Sequence, residues 1–151
     1  KGLNDYINLR RIAISIFLII IIVEVIFAII FILGSELFPW LYLENNGTED
    51  VFETVKIASK LLLVVALFQI FDGIQIVAQG ALRGIQDVKI PSLICFICYI
   101  FFGIPVMIYL GLYTELKAVG VWIGFLIGLM VAAFMLSLRF FLKCNHKINK
   151  K

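Results

Sequence analysis

A chain of 151 residues that is 63% hydrophobic and 15% charged, with a mean hydropathy of +1.10, carries too little polar surface to cover a soluble core. It is an integral membrane protein. Its net charge of +3 lies at the ends of apolar runs and not along one face, so membrane topology explains it better than a nucleic-acid partner does.

Four stretches reach the ~20 apolar residues that cross ~30 Å of hydrocarbon. They are residues 12–33, 57–82, 90–112 and 118–142, and they predict an all-α membrane fold of four transmembrane helices. The first follows Arg10 and Arg11 and is too long for the apolar core of a signal peptide. Near its middle stands a second buried acid, Glu24, with nothing polar within two turns except Ser15. We read it as an interface residue in preference to a coupling one. The loop that follows, residues 34–55, contains Asn46-Gly47-Thr48, which fits a glycosylation acceptor but reads more simply as a turn.

The second stretch carries Asp72 in LLLVVALFQIFDGIQIVAQGAL, with Gln69, Gln75 and Gln79 nearby. A charged carboxylate in hydrocarbon is costly, so this residue must face protein, water or an ion. With Asp72 at zero and ~100° per residue, Gln69 falls near about +60°, Gln75 near about −60°, Gln79 near about −20° and Arg83 near about +20°. The stripe they form either lines a water-filled cavity or bonds to another helix. For Asp72 the functional reading is favoured, since an amide would join helices at less desolvation cost.

In the third stretch Gly103 and Pro105 should weaken or bend the outer half. In the fourth, Gly120, Gly124, Gly128 and Ala132 form a small-residue ridge for close helix packing. The remaining residues, 143–151, form a basic tail, and its His146 has no second ligand nearby. Three cysteines, Cys95, Cys98 and Cys144, make no spaced framework; two lie in an apolar run as small hydrophobes, and no disulfide is implied. Nucleophile, phosphate loop and metal cluster are all absent from the sequence, so an enzyme, a metal site and a bound cofactor are not expected.

Ten of the thirteen Lys and Arg residues fall on one side of the four spans, at Lys1, Arg10, Arg11, Arg83, Lys89, Arg139, Lys143, Lys147, Lys150 and Lys151. The other side holds Lys56, Lys60 and Lys117 with Glu36, Glu44, Glu49, Asp50, Glu53 and Glu115. Both termini are therefore expected in the cytoplasm. Trp40, Tyr42, Tyr113 and Trp122 mark the proposed outer boundary as an aromatic belt.

The segment LFQIFDGIQIVAQGALRGIQDVKIPSLICFICYIFFGIPV, followed by GVWIGFLIGLMVAA, resembles the C-terminal part of the MATE (multidrug and toxic compound extrusion) transporters. The likeness runs through the polar helix, the Leu-Arg-Gly-x-x-Asp turn, the Ile-Pro helix start, the Gly-x-Pro bend and the Gly-x-Trp-x-Gly start of the last helix. It covers residues 61–139 closely, and residues 1–60 in pattern alone. The resemblance implies the last four of twelve helices, arranged as two six-helix bundles around a central cavity, with this chain a fragment that lacks the N-terminal helices. It implies efflux of organic cations and drugs driven by inward Na⁺ or H⁺, with the lipid bilayer as surroundings. The family's cation-binding acid falls on Asp72. Some members have a tyrosine one turn earlier; here Phe68 keeps a π-face for the ion but not the hydroxyl. A bacterial inner membrane suits the charge asymmetry and cysteine usage. Three other readings stand beside this one: a lipid-linked saccharide exporter of related fold, a small four-helix channel or accessory subunit, and a degenerate remnant whose polar stripe is inherited but unused. No Lys or Arg lies deep in a span to serve the first, and the second would assemble through the glycine ridge.

Overall fold

The computed structural model describes residues 5–43 and 49–149, and every regular element among them is helical. The Asn46-Gly47-Thr48 turn lies outside the described residues. Helix α1 (Tyr6–Leu33) starts at Asp5, whose carboxylate accepts a hydrogen bond from the Asn8 backbone N–H at 3.0 Å. It ends at Gly34, where the Phe38 ring lies so close that a Cβ would come within 2.5 Å of it. A short 3₁₀ turn, Phe38–Leu41, begins there, with Pro39 suited to a position that needs no N–H.

Helix α2 (Glu49–Gly84) has Glu49 and Asp50 in its first turn and Arg83 in its last, each sign matching the helix dipole. Residues 49–55, expected in the outer loop, thus belong to the helix. At the far end Gln86 adopts φ 60°, and two crossed bonds close the helix: Gln86 N–H to Arg83 at 2.8 Å and Asp87 N–H to Leu82 at 2.9 Å. This cap fixes where Asp87 sits.

The third span is continuous but not uniform. Helix α3 (Lys89–Cys98) passes into a π-helical turn, Tyr99–Gly103, and then helix α4 (Ile104–Leu112). Pro105 has no N–H to return to the carbonyl four residues back, and the ladder widens just before it, the Ile104 N–H reaching the Tyr99 carbonyl five residues back. The weak point expected at Gly103 and Pro105 takes this form.

Helix α5 (Lys117–Ile148) runs six residues past the apolar stretch that predicts it, into the segment read as a tail. Packing explains the extension. Cys144 is fully buried and joins Ala13, Phe17, Ala78, Leu82, Leu136 and Phe140 in one core cluster.

Helix α2 packs between α1 and α5, and α4 lies antiparallel along α5. A Cβ on Gly120 would meet the Leu110 carbonyl, one on Gly124 the Met107 backbone, and one on Gly128 the Gly103 Cα at 3.1 Å. The three contacts keep one antiparallel register. Outward faces stay apolar and exposed, as at Ile12, Ile19, Ile22 and Ile26 of α1, which is the pattern expected where acyl chains are the solvent. All four spanning elements, counting α3 to α4 as one, are long and apolar enough to cross a membrane.

Candidate functional site

The polar stripe of α2 divides between two neighbours. Gln69, on one flank, donates from Nε2 to the Glu24 carbonyl of α1 at 3.4 Å. Gln75 and Gln79, displaced to the other flank, donate to the Cys95 sulfur of α3 at 3.7 and 3.1 Å. The Gln75 carbonyl oxygen also accepts from the Tyr99 hydroxyl at 3.1 Å. The amides thus join helices to one another.

Asp72, between the flanks, is half-buried and has no hydrogen bond or ion pair among the described residues. Its surroundings are aromatic. Phe68, one turn earlier on the same face, stacks on Phe125 with centroids 5.8 Å apart and meets Trp122 edge-on at 5.8 Å. Tyr99 lies 5.4 Å from Phe125. Three elements therefore contribute one aromatic wall that includes Phe68, one turn from the carboxylate, and Trp122 and Phe125 within it remain 41% and 40% exposed. A carboxylate next to aromatic faces is a setting that can hold a cation, by charge and by the ring quadrupole. Trp122, expected in the outer belt, is part of this wall.

Glu24 also faces protein. Its Cγ and Oε1 lie against Gly73, each 3.0 Å from where a Cβ would stand. Gly73 is about 100° round α2 from Asp72, so the two acids occupy neighbouring flanks at similar depth. The glycines Gly120, Gly124 and Gly128 lie apart from the carboxylates, on the face of α5 that meets α4 and the π turn.

A second polar centre is built on Asp87, which lies between the second and third spans. The Asp87 Oδ2 accepts from Arg139 Nε at 2.7 Å and from Lys143 Nζ at 2.8 Å, both on α5. Burial alone would raise the Asp87 pKa, but hydrogen bonds and charge from Arg139 and Lys143 outweigh it and hold the carboxyl below its ordinary value.

Sequence reasoning missed three of these residues. Cys95, read as a small hydrophobe, is an acceptor for two amides; Tyr99 was not singled out; and Asp87 entered only as part of a turn motif. The signal for Cys95 and Tyr99 was their spacing of four, which puts both on one helix face, but only the rotation of α3 aims that face at α2.

The MatE family model matches residues 1–109, including the first sixty residues that resemble the family in pattern alone. A probable multidrug resistance protein NorM of Xylella fastidiosa is 37% identical over 92% of this chain and 28% of its own length. One of Agrobacterium fabrum is 34% identical over 94% of this chain and 30% of its own. The multidrug resistance protein NorM of Burkholderia vietnamiensis is 37% identical over 80% of this chain and 26% of its own. The chain thus spans less than a third of the relatives it matches. With the family model covering well over half of it, this chain belongs to the MatE family.

Proposed function

We propose that this chain supplies four helices of a multidrug efflux antiporter that exports organic cations and other drugs against inward Na⁺ or H⁺. Asp72 is the ion-coupling carboxylate, and Phe68 offers the ion a π-face. The observation that carries the reading is that Asp72 has no hydrogen bond or ion pair among the described residues, while the three amides around it, Gln69, Gln75 and Gln79, are bonded. A carboxylate kept unpaired in an apolar wall exchanges one cation for another at low cost, since no internal bond must break first. Support for drugs as cargo comes from the relatives, which are named as multidrug resistance proteins. The charge asymmetry supports a reading in which the spans lie in the inner membrane of a bacterium with both termini in the cytoplasm.

The test is efflux of a fluorescent organic cation from cells expressing the protein as its gene encodes it. Asp72→Asn reduces efflux to the level of cells without the protein, at unchanged membrane abundance, and Asp72→Glu retains part of it. Undiminished efflux by Asp72→Asn rejects the assignment.

A further inference from the structure

We propose that the groove between α3 and α5, beside the Asp87 centre, binds one anionic phospholipid, its phosphate at Lys143, Arg139 and His146 and an acyl chain along the apolar wall. The groove is an open one of about 400 Å³, and Ile94, Met135, Leu138 and Leu142 form its sides. On α5 the apolar residues recur at intervals of three and four, and so do Arg139, Lys143 and His146, so an apolar and a basic stripe run side by side. The apolar stripe extends about 10 Å from Leu142 at the polar boundary to Met135 inside the span. That is the geometry of a lipid lying alongside a helix with its headgroup at the end.

Charge selects the headgroup. Arg139 and Lys143 bring two positive charges to one carboxylate, which leaves one unbalanced, and a phosphodiester carries one negative charge. Both cations engage the same oxygen, Oδ2, and Arg139 does so through Nε, which leaves its terminal amino groups for another acceptor. The Asp87 side chain is 6% exposed while that of Lys143 is 42% exposed, so the carboxylate is inside and the ammonium faces out. Basic pockets of this kind at the ends of spans are where anionic headgroups bind. A free phosphate would leave the apolar wall uncovered. The proposal rests on neither Asp72 nor transport.

The experiment compares melting of the purified protein in phosphatidylcholine vesicles with melting in vesicles containing phosphatidylglycerol. The expected result is a rise of roughly 5 °C with phosphatidylglycerol. Leu138→Trp and, separately, Leu142→Trp fill the groove and abolish the rise, while helicity and melting in phosphatidylcholine stay as in the unmodified protein. Lys143→Met reduces the difference between the two vesicles, whatever it does to the baseline. Equal melting in both vesicles, the result if another helix or a second copy covers this face, overturns the proposal. So does a rise that survives both tryptophan variants, or one reproduced by inorganic phosphate in phosphatidylcholine vesicles.

Discussion

Asp72 and Asp87 are fifteen residues apart, one within α2 and one just beyond it, and their surroundings differ. Asp87 is held by two cations; Asp72 has none, and in the function proposed above it is the carboxylate that takes the ion. Because the Asp87 pKa is lowered on folding, its contribution is fully present above the unfolded value of about 3.9 and is lost as pH falls through the folded value. Melting temperature should therefore show no Asp87 contribution to its pH dependence from neutrality down to about pH 4, and a decline below that. Asp87→Asn should lower stability by about 1–3 kcal/mol at neutral pH and remove that part of the acid decline. Thermal scans of both proteins across pH check this, and an unchanged acid profile in the variant would count against the clasp. The sequence made Asp72 legible because a carboxylate amid apolar residues has no bland explanation. Asp87 was not legible, since an acid in a turn reads as solvated until α5 is known to bring Arg139 and Lys143 to it.

Among the elements, the four-residue glycine spacing was readable as a close-packing ridge, but its partner was not. That partner is α4 with the π turn, and its phase depends on the extra residue in the ladder before Pro105. Helical arithmetic continued through Gly103 would misplace everything beyond it by about 100°. Gly124→Ala puts a methyl into the Met107 backbone, so α4 and α5 must separate, at a cost of about 1–3 kcal/mol. Gly80→Ala on α2 meets nothing within 4 Å and should be neutral or stabilising by up to ~1 kcal/mol. Melting of the two variants side by side separates packing from helix propensity, and equal behaviour would contradict the ridge.

For the whole molecule, the number of spans was legible from hydropathy, and an even number returns the chain to the side it left. Loop lengths were less so, as α2 and α5 extend beyond hydrocarbon into charged sequence. A fluorescent-protein domain fused after Lys151 should mature and fluoresce, and a domain that requires export should stay inactive there; the reverse pair of results would invert the orientation. The Asp87 clasp also has an order in time. It joins residues fifty-two and fifty-six positions apart, and its second half cannot exist until Lys143 has left the ribosome. The three spans before α5 are therefore made while the turn after α2 is still open. Asp87 can wait there without penalty because, until α5 arrives, it stands in water, and α5, synthesised after those three spans, is the helix that locks them.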